Sequence, residues 1–475
     1  MTLKRLATIS LTLLTALLLT SSLAFGSATL TVVNMDGPNE GFNDPTPAKP
    51  VGQNTAKTVG AQRLRAFQFA ADVWGATLDS NVEIRIQASF DALSCTANAA
   101  VLGSAGAIQI FSDFPGSEFV NTWYPVALAN KRAGVDLAPG AAGSSADDIR
   151  ARFNSNLGQA NCLAGTPWYY GLDGKEGNGI DLVAVLLHEF GHGLGFASFV
   201  DESKGTQIHN QTDVFSRRLL DTTTNKTWDV MSNSERKTSA INPRHVVWTG
   251  PAVTAAVPNV LTGSTPLMRA NSPASIAGRY EVGTASFGPA LTTNGTTGDV
   301  ARALDAADAA GPSTTDACSP ITNATALAGR IALVDRGSCT FVTKAANVQP
   351  TGAIGMIVVD NVAGAPPPDL GGSGSFSFPS VRVTLADGNT IKTALASGPV
   401  NVTLTVDPAQ RAGADLQGRA MVWSPNPVQP GSSISHWDVI AFPNQLMEPS
   451  INNDLTHNVD VPADLTFKLF QDIGW

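Results

Sequence analysis

The chain has 475 residues, 43% of them hydrophobic and only 15% charged, with a formal net charge of −9. This is enough apolar material for two or three cores, and the Gly- and Pro-rich, weakly charged texture suits a loop-rich extracellular protein better than a helical cytosolic one. An acidic chain without basic clusters excludes nucleic acid as a partner.

At the N-terminus Lys4 and Arg5 precede an apolar run from Leu6 to about Leu19, followed by small residues. This is the pattern of an export signal over 1–28, with cleavage after Ala24 or Ala28. Losing Lys4 and Arg5 takes two positive charges from −9 and leaves −11. No later stretch is long and apolar enough to span a membrane. A secreted, monomeric protein is expected, with periplasm or cell surface as alternatives. Thr29 to Val33 reads as a strand almost at the cleavage site, and no Cys precedes Cys95. Little or no propeptide and no cysteine switch are therefore expected.

Leu64, Phe67, Ala71 and Trp74 recur at helical spacing, which predicts a helix over Ala61–Trp74. Val82, Ile84, Ile86, Ala88 and Phe90 alternate, as in a half-buried strand. Asp147–Leu157 reads as a short helix. Asp181–Leu194 reads as a stronger one, capped by Asp181 and stopped at Gly193 and Gly195. From about 252 to 412 Gly, Ala, Thr and Pro dominate. Apolar runs at Ile331–Val334 and Ile354–Val359 read as buried strands, with helices at Phe341–Val348 and Asp387–Leu395. Polar, Trp-containing sequence resumes and runs to Trp475. The four cysteines of an exported chain imply two disulfides. Cys95–Cys162 and Cys318–Cys339 keep each pair inside one expected domain.

The chemistry lies in His188-Glu189-Phe190-Gly191-His192. Residues four apart share one helix face, so both imidazoles can reach one metal. Zinc would lower the pKa of a bound water toward ~7, and the adjacent Glu189 could take its proton. The preceding Leu182–Leu187 is apolar throughout, so the helix should be buried. Buried His and Glu need partners, and a metal supplies one.

Through Gly195 this stretch resembles the metzincin pattern HExxHxxGxxH, in which the chain turns sharply at the glycine. It departs at Ser198, where the pattern has its third His. A catalytic zinc needs three protein ligands, and His209, His245, His436, His457 and Glu202 are the candidates. Ser435-His436-Trp437-Asp438 shortly precedes Gln445-Leu446-Met447. This resembles the leishmanolysin branch of the metzincins, whose third His is displaced by an insertion and precedes a Met-turn. The resemblance spans roughly 29–251 and 417–475. It implies zinc on His188, His192 and His436, Glu189 as general base and acid, and Met447 beneath the site. No Tyr follows Met447, so a second oxyanion stabiliser is not identified. Calcium is allowed but not indicated.

Replacing a loop of ~6 residues by a floppy one of ~244 would cost roughly 3 kcal/mol of closure entropy, so the insert should be a folded domain with adjacent ends. Cys318, Gly329–Gly337, Cys339-Thr340-Phe341, Lys344, Gly352–Asn361 and Phe378–Val381 resemble the protease-associated (PA) domain. The expected fold is α+β: a metzincin-like zincin domain, with a twisted sheet and an active-site helix, in two parts (29–251 and 413–475). An α/β PA domain (252–412) interrupts it. The function implied is a secreted zinc endopeptidase acting on proteins or peptides. The alternatives are a secreted PA-domain binding or adhesion protein with a structural zinc, and a zinc hydrolase of non-peptide substrates.

Overall fold

The computed structural model describes residues 27–475 apart from position 453. The expected export signal therefore lies, up to residue 26, outside the described residues. Among those described, no helix is long and apolar enough to cross a membrane.

The first body is built on a sheet of β1 (Leu30–Asn34), β2 (Ile84–Asp91), β3 (Gly103–Ala107) and β4 (Ile149–Asn154), with α1 (Val59–Thr77) between β1 and β2. The strand order is β1-β2-β4-β3. β1, β2 and β4 run parallel, and β3 pairs antiparallel with β4 to form one edge. The helix expected over Asp147–Leu157 is thus a strand. Ile149, Ala151 and Phe153 are buried while Arg150 and Arg152 are exposed. That period-two alternation suits a strand with one covered face.

α1 and α2 (Leu182–Leu194) pack into one core with this sheet. Phe67 of α1 lies 4.9 Å from Phe153 of β4 and 6.0 Å from Phe190 of α2, ring centre to ring centre. Buried Trp74 donates from Nε1 to the Leu187 carbonyl at 3.1 Å, tying the helices together just before the histidines. Cys95–Cys162 and Cys318–Cys339 are both disulfides.

α3 (Pro251–Val260) corrects the expected boundary at 252. Its Val253, Val257 and Val260 are buried in the first body's core. Buried Asp472 accepts from the Ala252 and Val253 amides at 2.7 and 3.1 Å and from Trp248 Nε1 at 3.0 Å. It caps α3 from a distant segment. Asp472→Ala should lower stability by about 2–3 kcal/mol, since it strands these donors, whereas Asp472→Asn should retain much of it; thermal unfolding of the variants checks this.

The insert's own sheet begins at Thr265. It comprises β5 (Thr265–Ser272), β6 (Gly278–Glu281), β7 (Gly283–Thr284), β8 (Thr296–Arg302), β9 (Ile331–Asp335), β10 (Gly355–Val359), β11 (Ser380–Val383) and β12 (Asn401–Asp407). The order is β6-β5-β12-β8-β9-β10-β11-β7, with β8 to β11 parallel. β9 and β10 are covered on both faces, which is why they read as unbroken apolar runs. α4 (Phe341–Val348) and α5 (Leu385–Ser397) are the expected helices. β5 and β12 pair antiparallel from Thr265 opposite Asp407, so the insert leaves and returns at one place. Val247 and Met421 then bridge, joining the two parts of the first body. The chain closes on α6 (Thr466–Ile473), which buries Leu469, Phe470 and Ile473 in that same core.

Candidate metal centre

The centre begins with the ends of α2. Asp181 caps its N-terminus, accepting from the Val183 amide at 2.9 Å. The other Asp181 oxygen pairs with His457 Nε2 at 2.7 Å. His457, one of the candidate ligands, therefore supports the cap instead, with a side chain only 14% exposed. At the other end Gly195 has φ of 125°, a conformation other residues adopt at a penalty, and Phe196 N–H returns to the Gly191 carbonyl at 3.0 Å.

This turn and the segment after the insert bring three imidazoles together. The Nε2 atoms of His188, His192 and His436 lie 3.1, 3.2 and 3.3 Å apart. Each Nδ1 faces a carbonyl oxygen: Leu446 at 2.7 Å, Phe196 at 2.8 Å and Ser432 at 2.7 Å respectively. A carbonyl can only accept, so each Nδ1 carries the proton and each neutral ring presents a bare Nε2 lone pair. Burial drives the His188 and His192 pKa values down to about 3 and about 4, and holds His436 well below the ordinary value. Three lone pairs facing one another at this spacing repel unless a cation lies among them. Tetrahedral zinc with Zn–N of about 2.0–2.1 Å sets its nitrogens about 3.3 Å apart, so the residues fit the ion. Among the described residues this is the one group of His, Cys, Asp and Glu with three or more ligand atoms within 4.8 Å of one another.

The other candidates lie elsewhere. His245 Nδ1 contacts Thr222 Oγ1 at 2.9 Å. His209 is exposed on a short 3-10 turn. Glu202 is pushed up to about 7 by burial but is outside the cluster. Ser198, at the position of the missing His, donates from its amide to Ser435 Oγ at 3.1 Å and shares a hydroxyl hydrogen bond with Ser216 at 2.9 Å. It fastens the turn after α2 to the residue before His436.

Glu189 is 7% exposed and accepts from the Ala105 amide of edge strand β3. A Cβ on Gly103 would sit 3.0 Å from its Oε1, so the carboxylate lies against that strand. Burial pushes its pKa up to about 8, a trend that a neighbouring cation opposes.

Met447 is fully buried, and its carbonyl accepts from the Trp437 amide at 2.8 Å. Its Sδ lies 2.8 Å from where a Cβ on Gly191 would stand. Gly191, between the two helical histidines, is thus small because the methionine packs against it. Asp464 holds the turn by accepting from the Leu446 amide at 2.6 Å. Gly191→Ala should cost about 1–3 kcal/mol through overpacking and weaken metal retention, and Met447→Ala in the same chain should restore part of the loss; unfolding and metal titrations read both. The roles of Gly191, Gly103, Ser435 and Asp464 had no counterpart in the sequence reading. The glycine between the histidines was the one available signal.

The PA domain family matches residues 296–391, which span β8 to β11, α4 and the first half of α5. The chain is 31% identical over 118 residues to the minor extracellular protease Vpr of Bacillus subtilis (strain 168), covering 24% of this chain and 14% of that protein. It is 40% identical over 78 residues to leucine aminopeptidase 2 of Arthroderma otae (strain ATCC MYA-4605 / CBS 113480), 16% of each. It is also similar to BSAP, a zinc aminopeptidase from Bacillus subtilis, at 20% identity and a TM-score of 0.22, over 33% of this chain and 36% of that one. The chain spans about a sixth or less of the two curated relatives' length. The metzincin resemblance therefore rests on the site residues alone. The chain is of mixed α and β structure, contains a PA domain, and is similar over short stretches to peptidases.

Proposed function

We propose that this chain is an exported zinc endopeptidase of the metzincin kind, with His188, His192 and His436 as ligands and Glu189 as general base. The observation that carries this reading is the triangle of three unprotonated Nε2 atoms, from buried His188 and His436 and half-buried His192, beside a buried carboxylate. Zinc held there would supply Lewis acidity and bring a water's pKa toward about 7. Glu189 takes the proton of the attacking water and passes it to the leaving amine. The three Nδ1–H bonds to backbone carbonyls hold the rings in the ligating tautomer. β3, the free edge of its sheet, offers unpaired backbone groups to an extended peptide next to Glu189.

Three histidines leave a fourth position open, whereas structural zinc sites close with four protein ligands. This favours catalysis over a binding protein with a structural zinc. The test is metal analysis together with cleavage of casein and of peptides blocked at both ends. The expected outcome is a single zinc per chain and cleavage of the blocked peptides, stopped by a chelator and restored by zinc. Cleavage confined to peptides with a free N-terminus would make the chain an aminopeptidase. No cleavage by the zinc-loaded chain would favour the binding-protein reading.

A further inference from the structure

The hairpin that carries the third imidazole has a stiff, largely exposed tip. The Trp423 amide donates to the His436 carbonyl at 2.9 Å and the Ile434 amide to the Trp423 carbonyl at 2.7 Å, which pairs the two sides. Between them Pro425, Pro427 and Pro430 have no N–H, so residues 425–431 cannot build a ladder of their own. The tip nevertheless sets the ring. The Gln429 carbonyl accepts from the Ser432 and Ser433 amides at 3.0 and 2.9 Å, and the Ser432 carbonyl accepts from His436 Nδ1 at 2.7 Å. Val428 packs on the first body's core, but the backbone hydrogen bonds of Asn426 go to the insert. Its amide donates to the Ala365 carbonyl at 2.6 Å, and its carbonyl accepts from the Ala365 amide at 2.9 Å. Among the described residues this pair is the one hydrogen-bonded tie from 425–431 to any segment outside 423–436.

Ala365 stands on an arm that the insert holds at both ends. At its start Asp360, paired with Arg336 and Arg382, accepts from the Asn361 and Val362 amides at 2.8 and 3.2 Å. At its end Leu370 is fully buried in the insert's core, and its amide donates to the Thr284 carbonyl of β7 at 2.8 Å. Pro366, Pro367 and Pro368 fix φ in between. A Cβ on Gly364 would stand 3.1 Å from the Asn426 oxygen, so a larger residue there would press on the contact. A displacement of Ala365 is therefore passed along a short, proline-stiffened run, Asn426 to Gln429, to the carbonyl that holds Ser432.

We infer that Ala365 and Asn426 are positioning residues, through which the insert governs how tightly the centre holds its metal. The inference rests on the zinc reading and gives the insert a part in it. It is tested on the full chain by zinc affinity, read by competition with a chromophoric chelator, with unfolding temperature measured beside it. Gly364→Val crowds the contact and Asn426→Pro deletes one of its donors. Each should weaken zinc binding roughly threefold to tenfold, below the roughly 10–100-fold of a ligand's direct partner. Asp472→Ala, which uncaps α3, should lower the unfolding temperature and leave zinc affinity unchanged. Coupling is reciprocal, so zinc should in turn slow hydrogen exchange at the Ala365 and Asn426 amides of the unaltered chain. Equal zinc affinity in the parent and both arm variants overturns the proposal and leaves the zinc reading standing. So does a loss in Asp472→Ala that matches theirs, or exchange at the two amides that zinc does not change. A parent chain that binds no zinc overturns both.

Discussion

His436→Ala is expected to lose its zinc on dialysis, while His209→Ala, His245→Ala and His457→Ala retain it. Removing one corner of the Nε2 triangle leaves His188 and His192 as the remaining imidazoles of the cluster. Losing an outer hydrogen-bond partner of a ligand costs roughly 10–100-fold in metal affinity, and losing the ligand itself should exceed that. The three control histidines differ in instructive ways. His209 and His245 contact nothing in the centre. His457 supports Asp181 at the start of α2, so its loss should lower the unfolding temperature without releasing the metal. Retention of zinc by His436→Ala would refute the ligand set.

Glu189→Gln is expected to keep zinc and lose roughly 10²–10⁴-fold in casein cleavage, the usual contribution of a positioned general base. The amide has the shape of the carboxylate, and its carbonyl can still accept from the Ala105 amide. It also removes a buried charge that has one backbone partner. The variant should therefore be at least as resistant to heat as the parent, the trade of stability for function common at active sites. Melting curves and metal analysis beside the assay separate this from simple damage. Unchanged cleavage would remove Glu189 from the mechanism.

Much of the centre could be read from the chain because its chemistry is local. His188, Glu189 and His192 share one turn of a helix, and the Asp181 cap and the Gly195 stop mark its ends. His436 could be singled out only by its neighbours Ser435 and Trp437 and by Met447, since nothing in spacing joins positions 244 apart. What escaped depends on packing between distant segments. Asp147–Leu157 reads as a helix in sequence because a short run with two arginines has no decisive period until one face is covered, as it is in the strand Ile149–Asn154. α3 looked like the insert's texture, and only its burial against α6 and its cap by Asp472 give it to the first body. Gly191 and Met447 meet across the fold, so neither explains the other in sequence.

The separation of His192 from His436 also has a meaning in time. At roughly 5–20 residues per second, 244 positions take roughly 12–50 s to synthesise. Throughout that interval the growing chain owns two imidazoles and the carboxylate but no third ligand. Because β5 and β12 can pair only once the whole insert has been made, the proposed third ligand follows the complete module in the chain. On the proposed ligand set, a nascent chain that stops short of His436 cannot complete the three-histidine site.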